Sequence, residues 1–344
     1  MRRLIIGVPL TVVLFLVAGF TIVSHFHPAP PLAHKAKTVA VRLYMHAVRD
    51  IPVLAWHQII AGVPHTAAED VVWNYGHDCK PTAAVCDAKN GNDETVSVTQ
   101  FAAELAYLKK SGYQSVTAAQ YQAWAARKSV ALPAKPILLT VDDGTLNSYT
   151  GTTPVLRKYG FNVVTFIVSQ FANGATANKE PYAGWDATWS QLLALPPAQW
   201  SFAFHAGARG HNVTFPDNRG CTYYYPCQLP TETAAVYQAR VSGEITTGRK
   251  VEKAHLGSRL NTSMWAVPWN DLANQANMPT SGSDPSRWLA KWAASQFPVI
   301  FIQDPPHNGY LHERYRLEVH GTWSEASFQA RLTGNVAHGF FNQG

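Results

Sequence analysis

Between residues 51 and 332 the chain alternates short apolar, β-branched runs with stretches of helical periodicity, and this alternation leaves few architectures open. Strands are expected at Ile51–Trp56, Ile137–Val141, Asn162–Val168, Trp200–Phe204, Met264–Val267 and Phe297–Gln303. Helices are expected between and after them: over Thr99–Lys110 with Phe101, Leu105 and Leu108 on one face, over Thr117–Arg127, and from Thr153-Pro154. Further helices are expected from Thr231 to about His255, around Pro285–Ala294 and over Ser324–Leu332. Strands separated by helices argue for a parallel α/β sheet. No repeat or linker divides the region, which reads as a single domain over 45–340. Two segments, 61–95 and 206–230, read as inserted loops, and each holds one cysteine pair.

Ahead of this domain, residues 4–23 carry no charge and follow Arg2-Arg3. As a helix this stretch would rise about 30 Å, enough for a bilayer core. The arginines would stay on the cytoplasmic side and send the rest of the chain outward. Residues 1–25 therefore read as an uncleaved transmembrane anchor or a cleaved signal peptide, and either makes the domain extracytoplasmic. Residues 26–44, rich in Pro, Ala and His, read as a tether.

The formal net charge of +6 belongs largely to this leader. Arg2, Arg3, Lys35 and Lys37 precede residue 38, and the rest of the chain has 24 basic against 22 acidic residues. A nearly neutral folded part argues against nucleic acid, and nothing implies an obligate protein partner. Cys79 and Cys86 enclose six residues, and Cys221 and Cys227 enclose five. Local pairing is the economical choice among the three possible, and it suits an oxidising compartment. Neither spacing resembles a zinc knuckle.

The sharpest chemical feature is Thr140-Val141-Asp142-Asp143-Gly144, at the end of an apolar strand. Two adjacent carboxylates are costly unless something divides their roles. A metal on one side would do so, holding one as a ligand and leaving the other to accept a proton from water. By itself Asp-Asp-Gly is also ordinary turn chemistry. His205 ends another expected strand, and His211 lies six residues on across a glycine-containing loop. Two imidazoles and a carboxylate form a common hydrolytic metal set with room for water and substrate. Both pairs fall at C-terminal strand ends, where parallel sheets and barrels place their sites.

These residues sit in a pattern that resembles the polysaccharide deacetylases, metal-dependent enzymes of carbohydrate esterase family 4 with a NodB homology domain. Among them it is nearest to the poly-N-acetylglucosamine deacetylase-like branch. The resemblance begins at Pro52-Val53-Leu54-Ala55-Trp56-His57 and continues through Val98–Phe101 and Leu108–Tyr113. It is strongest at Leu138–Gly144 and extends through Tyr159–Phe161 and Phe166–Val168, spanning residues 51–332 overall. It implies a distorted (β/α) barrel with Asp142 as catalytic base and Asp143, His205 and His211 as metal ligands. Ala266-Val267-Pro268-Trp269 is similar to the family's third motif, placing Pro268 and Trp269 at the substrate. Trp269 would wall the acetyl pocket, with its N–H toward the developing oxyanion. His320, in Leu317-Glu318-Val319-His320, would be the general acid, with His307 as its competitor. His57 reads as a hydrogen-bonding residue at the end of the first strand rather than a ligand.

Three positions depart from the family pattern. The histidine offset is six residues where that branch has five, Val141 stands in place of Phe, and no arginine accompanies Pro268. The implied reaction is hydrolysis of N-acetyl groups on an extracellular or cell-wall aminosugar polymer, with one divalent ion, Zn2+ foremost and Co2+ or Ni2+ as alternatives. Tyr223, Tyr224 and Tyr225 are candidates for stacking on sugar rings or for packing their own loop. An O-acetyl esterase, or a non-catalytic carbohydrate-binding protein on a degenerate deacetylase fold, are the alternatives. A glycosidase fits poorly, because adjacent aspartates do not give its roughly 5–9 Å carboxylate separation.

Overall fold

The expected alternation closes into a ring of parallel strands. The computed structural model describes residues 50–60, 95–172, 186–211, 224–268, 285–303, 312–339 and 341, all of which fall in the unit Arg49–Gly344. Its strands are β1 (Val53–Trp56), β2 (Gln58–Ile60), β3 (Thr95–Ser97), β4 (Gln114–Ser115), β5 (Pro136–Val141) and β6 (Val163–Val168). They continue with β7 (Trp200–Ala206), β8 (Leu260–Ala266), β9 (Val299–Ile302), β10 (Glu313–Tyr315) and β11 (Leu317–Glu318). The main sheet runs β10-β9-β8-β7-β6-β5-β1-β11, with β4 beside β5, while β2 and β3 form a separate pair. Each neighbouring pair is parallel. Every residue of β1, β5, β6 and β9 is buried, as strands covered on both faces require.

The two ends of that order are neighbours in sequence. β10 pairs with β9, and two residues later β11 pairs with β1 through Leu54↔Leu317 and Ala55↔Glu318. Between them the Arg316 N–H donates to the Ile302 carbonyl (2.8 Å), and the Val319 N–H then donates to that of Ala55 (2.8 Å). One segment thus stitches the last strand to the first, giving the nearly closed barrel of the distorted (β/α) type.

The helices are α1 (Val98–Lys110), α2 (Ala118–Ala125), α3 (Leu146–Thr150), α4 (Thr152–Tyr159), α5 (Ser169–Ala172), α6 (Trp189–Ala194), α7 (Ala234–Leu256), α8 (Pro285–Gln296) and α9 (Glu325–His338). Side-chain caps set many of their starts: Ser97, Thr117, Thr188, Thr233 and Ser324 each accept an N–H from the first turn. α9 runs six residues past its expected end at Leu332, because nothing stops it before the left-handed Gly339. Long α7 turns Tyr237, Val241, Ile245, Gly248 and Leu256 inward at helical spacing. Its apolar stripe packs with Phe204, Trp265, Leu289, Phe297 and Ile300 in one cluster.

Tyr224 and Tyr225 belong to that cluster, which corrects the suggestion that they rim a sugar site. Both are buried; Arg240 lies over the Tyr224 ring, and the Tyr237 hydroxyl donates to the Tyr225 carbonyl (2.8 Å). Burying a large aromatic area against α7 decides their place. Cys227 is buried and disulfide-bonded. The leader 1–25, the tether 26–44, Cys79, Cys86, Cys221, Tyr223, Trp269 and His307 lie outside the described residues. Among the described residues no helix is long and apolar enough to cross a membrane.

α1 docks on β1 through a buried polar contact. The Trp56 indole N–H donates to Glu104 Oε2 (2.9 Å), and Gln100 Nε2 donates to Oε1 (3.0 Å). Burial nevertheless pushes the Glu104 carboxyl up to about 7. The unfolded chain would ionise it near 4.5, so over that interval the folded state holds the extra proton and loses stability as pH rises. The loss is complete above the folded value and absent below the unfolded one. Relative to Glu104→Gln, the protein should lose about 3 kcal/mol between those limits. Urea unfolding of both proteins at several pH values tests this; parallel pH curves would contradict it.

Candidate active site

The site is built at the C-terminal ends of the parallel strands. The Asp142 N–H donates to the Trp56 carbonyl (2.9 Å), carrying the β1–β5 ladder one residue past β5. There the chain turns sharply: Asp143 has φ +70° and Gly144 φ +91°, and the Gly144 N–H closes on the Asp142 carbonyl (2.8 Å). A left-handed aspartate is strained, and such strain gathers where function over-determines the backbone. At Gly144 the positive φ suits a residue without Cβ.

The adjacent carboxylates have separate partners. Asp142 is fully buried and takes a two-pronged contact from Arg316: Nη1 donates to Oδ1 (2.6 Å) and Nη2 to Oδ2 (2.7 Å). Burial alone would raise this carboxyl; the Arg316 guanidinium outweighs it, with help from His205 and His57, and holds it below the ordinary range. Arg316 also donates to Thr140 Oγ1 (3.4 Å) and is itself fully buried. It sits between β10 and β11, at the point where the barrel closes.

Asp143 faces two imidazoles. His211 Nε2 lies 2.9 Å and His205 Nε2 3.4 Å from Asp143 Oδ1. Burial opposes ionisation of Asp143, but His211 and then His205 hold its pKa well below the usual carboxylate value. His205 stands in β7 with Nδ1 2.7 Å from the Ala266 carbonyl, and its own carbonyl accepts the Trp265 indole N–H (2.8 Å). With Nδ1–H donated to Ala266, the acceptor position at His205 Nε2 turns toward a carboxylate oxygen. Two buried acceptors facing each other call for a proton or a cation between them. Ligand atoms of Asp143, His205 and His211 all lie within 4.8 Å of one another. This donor set fits a divalent ion with open positions.

A third histidine borders the site. His57, just after β1 and 8% exposed, has Nε2 3.7 Å from Asp142 Oδ2 and Nδ1 3.1 Å from Glu318 Oε1 on β11. Gln303, after β9, sets its amide nitrogen 3.0 Å from His57 Nε2. The described contacts of His320 run elsewhere: its ring packs on Trp323 (5.0 Å between centroids), and its carbonyl accepts Gln100 Nε2. Pro268 is buried just beyond β8.

Sequence reasoning misses Arg316, Gln303 and Glu318. Arg316 supplies the guanidinium that is lacking beside Pro268, from the junction between β10 and β11. Its signal is a charged residue between Tyr315 and Leu317, in a segment whose histidine otherwise draws the eye.

This barrel, with a carboxylate pair at one strand end, one histidine at the end of another strand and a second just beyond it, shares its fold with several solved deacetylases. The chain is similar to a solved de-N-acetylase from Aggregatibacter actinomycetemcomitans, at 18% identity and a TM-score of 0.57, over 81% of this chain and 98% of that one. It is also similar to the Streptococcus pyogenes deacetylase PplD, at 16% identity and a TM-score of 0.53, over 82% and 98% of the two chains. The BpsB deacetylase domain of Bordetella bronchiseptica matches at 18% identity with a TM-score of 0.53, over 77% and 94%. In sequence, 195 residues are 27% identical to the poly-β-1,6-N-acetyl-D-glucosamine N-deacetylase of Escherichia coli K12. That match takes in 52% of this chain and spans about a quarter of the enzyme's length, 27%. No family model matches the chain.

Proposed function

We propose that the protein is a metal-dependent deacetylase that removes N-acetyl groups from an extracellular aminosugar polymer, within the poly-N-acetylglucosamine deacetylase-like branch. The observation that carries this reading is the division of labour at Asp142-Asp143, one carboxylate on an arginine and its neighbour in a two-histidine cluster. A divalent ion held by Asp143, His205 and His211, Zn2+ foremost, would polarise the acetyl carbonyl and acidify water. Asp142, kept ionised by Arg316, takes the proton of the attacking water. His57, with a carboxylate oxygen near each ring nitrogen, gives a proton to the departing amine. His320, which follows β11, is the alternative donor. Pro268 and Trp269 are assigned to the acetyl pocket. Export through residues 1–25, as anchor or signal, and pairing of Cys79 with Cys86 and Cys221 with Cys227 complete the proposal.

The test is acetate release, with matching appearance of free amine, when the full chain and Zn2+ are incubated with N-acetylglucosamine polymers. Activity should disappear in Asp143→Ala and in His211→Ala. Acetate release from O-acetylated but not N-acetylated polymer would make the protein an esterase on the same fold. Polymer binding without acetate from either would leave only a carbohydrate-binding role.

A further inference from the structure

We infer that Glu244 on α7 is a positioning residue for His211, setting the metal site through the loop between the two histidine ligands. The inference rests on the metal-binding reading above. The two ligands are held by different means. His205 lies within β7 and is gripped by the Ala266 carbonyl and the Trp265 indole. His211 follows a four-residue loop, Gly207–Gly210, after β7, at the offset that departs from the family pattern.

One oxygen of half-buried Glu244 organises that loop. Oε1 accepts the N–H of Arg209 (2.7 Å) and the N–H of Gly210 (2.9 Å), the two residues immediately before His211. Consecutive N–H groups converging on one anion form a small cradle. The loop lies close against α7 to allow it. A Cβ on Gly207 would stand 2.7 Å from Glu244 Oε1, and one on Gly248 would stand 2.7 Å from the Gly207 Cα. At the other side the Gly207 N–H donates to the Tyr225 hydroxyl (3.4 Å), and a Cβ on Gly210 would enter the Tyr225 ring. The loop is thus pressed between α7 and Tyr225, and the carboxylate fixes its last two amides. With the loop folded onto Glu244, His211 emerges with Nε2 2.9 Å from Asp143 Oδ1.

The experiment measures Zn2+ affinity of the full chain by competition with a chromophoric chelator. Wild type, Glu244→Ala, Glu244→Asp and Glu244→Gln are compared, with His211→Ala as the limit of complete ligand loss. Glu244→Ala should weaken Zn2+ binding about 10- to 100-fold, the range for partners that orient a metal ligand. Glu244→Gln keeps an acceptor oxygen at the same reach and should stay near wild type. Glu244→Asp withdraws it by one methylene and should resemble Ala. Amide hydrogen exchange adds a readout independent of metal: protection at Arg209 and Gly210 should fall in Ala and Asp and persist in Gln. Alanine favours helix, so α7 should survive the substitution; if that variant fails to fold, the Asp–Gln pair still decides. Wild-type affinity in both Ala and Asp would overturn the inference while leaving the metal site standing. Absence of Zn2+ binding in the wild type would instead overturn the metal reading, and this inference with it.

Discussion

Replacing Arg316 with leucine should cost about 3–5 kcal/mol of stability and nearly all turnover, while Zn2+ binding by Asp143, His205 and His211 survives. Asp142 is fully buried and draws both of its short contacts from this guanidinium. Without it, a carboxylate stripped of water would lose its main counter-charge, and burial would drive it to take up a proton. A protonated Asp142 cannot act as base. The pH dependence changes sign with the substitution. In the wild type the Asp142 pKa is depressed, so the pair stabilises the fold above the unfolded value near 3.8 and is lost as pH falls through the folded one. In Arg316→Leu burial outweighs the histidines that remain, and the same position should weaken the fold as pH rises. Combining Arg316→Leu with Asp142→Asn should cost less stability than the two single changes added together, because the second removes the charge that the first strands. Chemical denaturation of the four proteins measures that coupling. Additive costs would mean that the contact carries no weight in the folded state.

Some of this site can be read from the chain alone because its causes are local. Ile137–Val141 is apolar throughout apart from Thr140 and ends on Asp-Asp-Gly, so burial, strand end and turn are written in eight consecutive residues. Helix starts at Thr117 and Ser324 are legible for the same reason, since the capping side chain sits beside the amide it accepts. Arg316 is different: its partner lies 174 residues away and meets it only because the barrel closes between β9 and β1. His57 likewise meets Asp142 only through the β1–β5 pairing and Glu318 only through β11. Tyr224 and Tyr225 show the reverse difficulty. A run of tyrosines looks the same on a sugar-binding rim as in a core, and the inward stripe of α7 settles which.

Substitution of His57 by alanine should lower kcat about 10²- to 10⁴-fold, the usual worth of a positioned proton donor, without loss of Zn2+ binding. His320→Ala should stay close to wild type. The reason is geometric. A donor to the departing amine must border the space shared by the base and the metal ligands, and His57 Nε2 lies 3.7 Å from Asp142 Oδ2. We assign Glu318, whose Oε1 lies 3.1 Å from His57 Nδ1, as the group that orients the ring. Glu318→Gln should therefore lower kcat less than loss of the ring does, and leave KM nearly unchanged. The leaving group separates this role from a structural one. An N-acetyl substrate releases a poor leaving group that must be protonated, whereas an aryl acetate releases a phenolate that needs little help. His57→Ala should accordingly fall much further on the acetamide than on the aryl ester. A lesion that merely distorts the site would depress both alike. If His320→Ala shows the leaving-group dependence and His57→Ala does not, the proton comes from His320, and His57 only positions Asp142.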